Sequence, residues 1–327
     1  MKKFLGIDGG GTKTRFVLIT EHGQILASHL EGSAYYLEVG LDRTREMLAR
    51  GIRQTLRQSD VSESDLSYAF IGLPAYGEDH ALLEVLDALP SDVLPSGKFK
   101  CGNDMICGWA GALGGADGIS VVSGTGSIAY GEYAGRSARA GGWGELFSDE
   151  GSSYWLAREG LRIFSRMSDG RTARGPLYER IRGHFNLERD LDLCAAIYGG
   201  DSAQRSDIAQ LSQIVAAAAA EGDLAAQGLI EHAAQELADL VTAVRATLEV
   251  PQDAPIAVSY SGGMVHLGER LIGPLLSKLQ LQSRLYILTE PRFPPEIGAA
   301  IQAARMYQAP LNAESLWALD AEVAKWG

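Results

Sequence analysis

The sequence predicts an α/β protein assembled from two halves of one β-first design, and two observations predict it. Residues Asp8-Gly-Gly-Gly-Thr-Lys-Thr14 lie between an apolar run that begins at Phe4 and the β-branched and aromatic run Arg15-Phe-Val-Leu-Ile-Thr20. Glycines placed between two strands form a hairpin turn, whereas a Walker loop or a dinucleotide-binding fingerprint runs from a strand into a helix. The same design returns at Gly118-Ile-Ser-Val-Val-Ser-Gly-Thr-Gly-Ser-Ile-Ala-Tyr130, again apolar strand, Gly-Thr turn, apolar strand. The pairs Gly11-Thr12 and Gly124-Thr125 thus open two similar halves, an internal repeat on the scale of a domain. The chain of 327 residues is long enough for two domains of about 150 residues each.

The elements follow in order. After the first hairpin, Gln24-Ile-Leu-Ala-Ser-His-Leu30 reads as a third strand. Leu48, Ile52 and Leu56, spaced by four, predict a helix from about Leu41 to Gln58. A strand at Ser67–Leu73, a helix over about Asp79–Leu89 and a strand at Lys98–Asn103 come next, and another helix begins at Asp104. The second half is more helical, with helices expected over Ser152–Ser168, Asp207–Ala220 and Asp223–Leu248. Ala216–Ala220 is helix-former usage rather than a linker. A strand at Pro255–Ser261 meets Gly262-Gly263, one more helix and a strand at Arg284–Thr289 follow, and two helices close the chain.

Composition removes several classes of function. A formal net charge of −12 argues against nucleic acid or an anionic membrane as partner. No run of about 18 apolar residues is present, so no membrane span is expected. The N-terminus enters a strand directly, without the apolar segment of a signal peptide. Cys101, Cys107 and Cys194 are too few for a disulfide framework and lack metal-type spacing, so a reducing cytoplasm is the expected compartment.

Five stretches carry candidate chemistry. Backbone N–H groups of the first glycine turn can form an anion-binding concavity, to which a threonine hydroxyl adds a donor. Three glycines exceed what a tight turn needs. Asp8, at the end of the strand beside them, could hold Mg²⁺ through water. The second turn, Ser123-Gly-Thr-Gly-Ser127, gains weight from its pairing with the first, since two such hairpins could pinch a triphosphate. Asp104 follows a strand and opens a helix, as a general base or as a plain N-cap. Gly141-Gly-Trp-Gly-Glu-Leu-Phe-Ser-Asp-Glu-Gly151 places an aromatic face and carboxylates on a glycine-rich loop, which suits a sugar; the alternative is a loop whose Asp149 caps the next helix. Ser261-Gly-Gly263 admits close approach of a flat ligand, or is an ordinary strand-to-helix turn.

In this order, the Asp-Gly-Gly-Gly-Thr, Asn-Asp, Ser-Gly-Thr-Gly-Ser, Gly-Trp-Gly…Ser-Asp-Glu-Gly-Ser and Ser-Gly-Gly motifs resemble those of the N-acetylglucosamine kinases. These belong to the BadF/BadG/BcrA/BcrD ATPases of the actin, Hsp70 and sugar-kinase superfamily. The resemblance spans nearly the whole chain and is most specific over residues 141 to 155. It implies two ribonuclease-H-like, actin-like ATPase domains around an ATP cleft: 1–115, 116–308 with helical insertions, and a C-terminal helix at 309–327 packing back on the first. It implies that Gly10, Gly11, Thr12 and Thr125 contact ATP phosphates with Lys13 on the same ligand, and that Gly262 and Gly263 border the adenosine. Asp104 would take the proton from a sugar 6-hydroxyl, with Ser127, Gly142, Trp143 and Asp149 around the sugar. The implied activity is Mg·ATP-dependent phosphorylation of N-acetylglucosamine or glucosamine, with a homodimer as the family's common assembly.

Two departures bear on the sugar: the family's asparagine after the third strand is replaced by Tyr35 or Tyr36, and the one after the Gly-Thr-Gly-Ser turn by Ile128. N-acetylmuramate or another hexose is therefore the alternative substrate. A rival of another class, the activator ATPases of dehydratases and reductases, would need cysteines holding an iron–sulfur cluster. Cys101 and Cys107 read instead as small core residues.

Overall fold

A computed structural model describes residues 1–199, 204–263, 267–282 and 285–325. The chain divides into two compact units, Met1–Asp117 with Glu290–Gly327, and Gly118–Thr289.

The first unit is built on β1 (Lys3–Gly9), β2 (Thr14–Thr20), β3 (Ile25–Glu31), β4 (Tyr68–Leu73) and β5 (Phe99–Asn103). They form a five-stranded sheet in the order β3-β2-β1-β4-β5. β1, β2 and β3 pair antiparallel, whereas β4 runs parallel to β1 and β5 parallel to β4. Helices α1 (Tyr36–Val39), α2 (Leu41–Gln58), α3 (Leu83–Ala88) and α4 (Met105–Leu113) fill the connections. α2 buries Met47, Leu48, Ile52 and Leu56 on one face, the spacing the sequence displays. The helix expected over Asp79–Leu89 is shorter: a 3-10 turn at His80–Leu82 precedes α3.

The second unit repeats this topology. Its elements are β6 (Gly118–Ser123), β7 (Ser127–Tyr133), β8 (Arg136–Gly141), α5 (Ser153–Ser168), α6 (Pro176–Phe185), α7 (Leu193–Tyr198), α8 (Arg205–Gln210), α9 (Ser212–Ala220), α10 (Leu224–Thr247), β9 (Ile256–Ser261), α11 (Glu269–Gln282) and β10 (Tyr286–Thr289). The sheet order β10-β9-β6-β7-β8 reproduces that of the first unit, β6 taking the place of β1 and β9 that of β4. β8 escapes a reading by pattern because Arg-Ser-Ala-Arg-Ala lacks β-branched residues and buries only Ala138. The helix expected over Asp207–Ala220 is broken at Leu211 into α8 and α9. Arg284, the expected start of the last strand, lies outside the described residues.

The chain then re-enters the first unit with α12 (Pro295–Met306) and α13 (Ala313–Val323). This corrects the expected boundary at 308, because α12 packs with the first unit and not the second. The reason is burial. Phe4, Val17, Ile19 and Phe70 form one face of the first sheet, and Ile297, Ala300, Ile301, Ala304 and Leu319 cover it in a single cluster. The approach is tight, since a Cβ at Gly6 would overlap the backbone of Ala300. Among the described residues no helix is long and apolar enough to cross a membrane.

Candidate active site

In the first unit the candidate chemistry collects at the C-terminal ends of β1, β4 and β5. Asp8 pairs in register with Gly72, and Gly72 with Gly102, one residue before Asn103-Asp104. Gly72 holds this corner close: a Cβ there would overlap the Cys107 sulfur and lie 3.1 Å from the Asp104 Cα. Asp104 occupies the N-cap position of α4, yet its carboxylate makes no capping hydrogen bond. The Met105 N–H donates instead to Asn103 Oδ1 at 3.1 Å, while Asn103 Nδ2 donates to the Tyr76 carbonyl at 3.1 Å. The neighbouring asparagine supplies the hydrogen bond to the Met105 amide, and the Asp104 carboxylate makes no capping bond of its own.

Burial pushes the Asp104 carboxyl up to about 6; the nearby amides of Met105 and Asp104 itself pull it down, and Glu78 adds to the rise. Asp8 is held well above the ordinary carboxylate range by burial, then by the negative charges of Asp104 and Glu296, with Cys107 and Lys13 pulling the other way. Glu296 is itself a mostly buried carboxylate, its Oε1 3.6 Å from Arg15 Nε. Buried like charges invite a cation. No group of three or more His, Cys, Asp or Glu among the described residues is arranged to ligate one directly. Asp8, Asp104 and Glu296 offer oxygen donors, the type that a hydrated divalent ion takes.

The first glycine turn closes with Gly10 N–H donating to the Lys13 carbonyl at 2.9 Å, and Ala34 N–H ties it down through the Gly10 carbonyl at 3.0 Å. None of Gly9, Gly10 and Gly11 adopts a left-handed backbone. Gly9 is close-packed, but a Cβ at Gly11 would meet nothing within 4 Å. Neither conformation nor the surrounding chain requires glycine at 11. Gly11, Thr12 and Lys13 are all exposed.

In the second unit the corresponding turn is closed by Gly124 N–H donating to the Gly126 carbonyl at 2.9 Å, and Thr125 projects exposed from it. Gly262, at φ +100°, packs so close that a Cβ would overlap the Ser123 carbonyl, and Gly263 N lies 3.9 Å from the Cβ position of Gly124. The two Gly motifs of this unit are thus brought together.

The loop after β8 is fastened to the same turn. Ser123 Oγ donates to the Gly151 carbonyl at 2.7 Å, Ser127 Oγ to the Glu150 carbonyl at 2.6 Å, and Ser153 N–H to the Gly124 carbonyl at 2.8 Å. Asp149 is 2% exposed with φ +63°, accepts from Ser127 N–H at 3.2 Å, and pairs with the Arg205 guanidinium. Burial raises its carboxyl, which Ser127 N–H and Arg205 oppose. Asp149 does not cap α5; Ser152 does, its Oγ accepting from Trp155 N–H at 3.1 Å. Trp143 is 70% exposed, with the Arg139 guanidinium 5.9 Å from its ring. Ile128 lies against Gly142, whose Cβ position is 2.7 Å from Ile128 Cδ1. Tyr36 is a core residue whose hydroxyl donates to the Ala75 carbonyl at 3.0 Å.

Asp8, Gly10, Gly11, Thr12, Lys13 and Asp104 therefore belong to the first unit, and Thr125, Ser127, Gly142, Trp143, Asp149, Gly262 and Gly263 to the second. Glu296 and Arg205 escape the sequence reading. Each lies far along the chain from the group it faces, and neither stands in a motif.

Comparison with known proteins places this geometry in a family. A Clostridium acetobutylicum N-acetylmuramic acid/N-acetylglucosamine kinase is 31% identical over 273 residues, 81% of this chain and 86% of that protein. A Dictyostelium discoideum N-acetyl-D-glucosamine kinase is 28% identical over 310 residues, 92% of this chain and 97% of that one. A crystal structure from Chromobacterium violaceum, provisionally assigned as an N-acetylglucosamine kinase, superposes with a TM-score of 0.69 at 25% identity, covering 92% of this chain and 98% of its own. Residues 5–303 match the BadF/BadG/BcrA/BcrD ATPase family, and with that match, the duplicated sheet and the paired glycine turns, the chain belongs to it.

Proposed function

We propose that the chain is an ATP-dependent amino-sugar kinase that phosphorylates the 6-hydroxyl of N-acetylglucosamine or glucosamine. The observation that carries this reading is Asp104, an uncapped carboxylate at the end of β5, raised by burial to about 6. A base titrating near neutrality is matched to removing an alcohol proton at physiological pH. The names of the Clostridium and Dictyostelium relatives support an amino sugar as the acceptor.

In the proposed reaction the Asp104 carboxylate accepts the 6-hydroxyl proton as that oxygen attacks the γ-phosphorus, and the bond to the β-phosphate oxygen breaks to release ADP. Such transfers depend mainly on positioning and on stabilising charge over the phosphoryl oxygens. The exposed Gly11-Thr12-Lys13 edge would supply N–H groups, a hydroxyl and an ammonium to the phosphates, and Thr125 a further hydroxyl. Mg²⁺, held through water at Asp8, would neutralise phosphate charge. Gly262 and Gly263 would border the adenosine. Ser127, Gly142, the open face of Trp143 and the unused lone pairs of Asp149 would hold the sugar. Cys101 and Cys107 are buried in the first unit, which weighs against a cysteine-held cluster and so against an activator ATPase.

The test is a coupled ADP-release assay with Mg·ATP against glucosamine, N-acetylglucosamine, N-acetylmuramate, glucose and N-acetylmannosamine, with a no-sugar control. Release with one or two amino sugars, and product phosphorylated at O6 by NMR, is the expected result. Asp104→Asn should bind ATP like the parent and lose transfer by about 10²–10⁴-fold. Unchanged turnover in that variant removes Asp104 as the base, and ADP release independent of any sugar removes the kinase reading.

A further inference from the structure

We propose that Arg205, carried on the helical insertion of the second unit, is the positioning residue that sets the Asp149 carboxylate against the second Gly-Thr turn and thereby controls affinity for the sugar. The inference rests on the amino-sugar reading of Asp149. Its own ground is the steric reason for Gly126. That residue is not in the left-handed region, so no backbone requirement makes it glycine. A Cβ there would lie 2.5 Å from an Arg205 guanidinium nitrogen and 3.0 Å from each Asp149 carboxylate oxygen, and no other residue supplies its nearest atoms. A side chain at 126 would therefore meet the tips of the Arg205–Asp149 pair, which would have to move aside to admit it.

The pair also resolves an electrostatic problem. Asp149 is 2% exposed, takes a left-handed backbone that is costly for a residue with a side chain, and lies near Glu145 and Glu150, whose charges oppose its own. Ser127 N–H supplies one donor at 3.2 Å. Arg205 supplies the positive charge, and its Nε lies 3.3 Å from Glu145 Oε2 as a charge contact without hydrogen-bond geometry. One planar guanidinium therefore joins the turn, the Asp149 carboxylate and the loop that carries Trp143. A lysine, a single point charge, would keep the attraction to Asp149 without the fixed orientation of the planar guanidinium. Removing Arg205 leaves the serine-to-carbonyl fastenings of the loop intact but frees the carboxylate to turn.

Kinetics and amide exchange test this. Arg205→Ala should raise the sugar KM roughly 10- to 100-fold, the scale of losing a charged hydrogen-bond partner, while the ATP KM stays within about twofold. Arg205→Lys should recover part of the loss. Gly126→Ala should reproduce the effect by expelling the guanidinium, and the double variant should be no worse than Arg205→Ala alone, since one interaction cannot be lost twice. Hydrogen exchange at residues 123–127 and 149–153 should quicken in Arg205→Ala. Unchanged exchange, an unchanged sugar KM, additive effects in the double variant, or sugar and ATP KM rising together with a fall in Tm would each overturn the proposal. If the parent turns over none of the sugars, the amino-sugar reading falls; exchange then decides the clamp by itself, faster exchange keeping it and unchanged exchange rejecting it.

Discussion

Asp104 carries two opposed demands, and both are measurable. In the proposed role of base it must be ionised, so with a pKa of about 6 the rate should fall about tenfold per pH unit on the acid side of that value and level off above it. A kcat/KM profile flat down to about pH 4.5 would contradict the assignment. As part of the fold, the same carboxyl binds its proton more tightly than in the unfolded chain, whose ordinary value is 3.8. The folded state therefore holds more protons between those two values, and stability falls as pH rises from 3.8 toward about 6. Asp104→Asn removes that loss. Thermal melts should find it more stable than the parent at about pH 8, with the gap closing near pH 4. Equal melting temperatures at both pH values would show that burial costs Asp104 nothing. A strand followed by Asn-Asp and a helix marks Asp104 in the sequence, and the Met105 N–H to Asn103 Oδ1 bond is equally local. The Asn103 Nδ2 bond that fixes this side chain, however, goes to the Tyr76 carbonyl, 27 residues away, which no local pattern contains.

At the scale of the element, the crossing of α4 and α12 lies next to Asp104. A Cβ at Gly298 would overlap the Cys107 carbonyl and the Gly111 backbone, and one at Gly111 would lie 2.7 Å from the Pro294 carbonyl. The two helices approach backbone to backbone through this glycine pair, and α4 begins one residue after Asp104. Gly298→Val should cost about 3 kcal/mol of stability, the upper end for overpacking a core. Because the helix must shift to admit the side chain, the variant should also lose transfer while keeping the second unit's melting behaviour. A folded variant of parental Tm would mean that the crossing can relax without cost. Pattern reads such elements well: α2 because its buried face repeats at the period of the helix, and strands such as β1 and β7 because they are short apolar runs buried almost throughout or in part. It misreads β8 and the α8–α9 break, where few side chains are buried and the neighbours decide the conformation.

For the whole molecule, the division into units predicts what folds alone. Residues 118–289 are continuous, contain a complete five-stranded sheet and carry their own apolar core. Expressed as a fragment, they should give a cooperative thermal transition by circular dichroism. Residues 1–117 lack α12 and α13, so Phe4, Val17, Ile19 and Phe70 lose their cover, and this fragment should not melt cooperatively until residues 290–327 are supplied. A cooperative transition from 1–117 alone would disprove the dependence.

The duplicated β-first design, both Gly-Thr turns and the candidate base follow from the sequence by itself, because each is written in a short run whose local conformation is set by its own residues. The tertiary structure alone decided that the chain returns after residue 289 to complete the first unit, that Glu296 faces Asp8, and that Arg205 rests on Gly126 beside Asp149. These depend on contacts between residues tens to hundreds of positions apart. Side-chain burial and charge pairing across such distances leave no periodic trace in the sequence, since what fixes them is the packing of finished elements against one another.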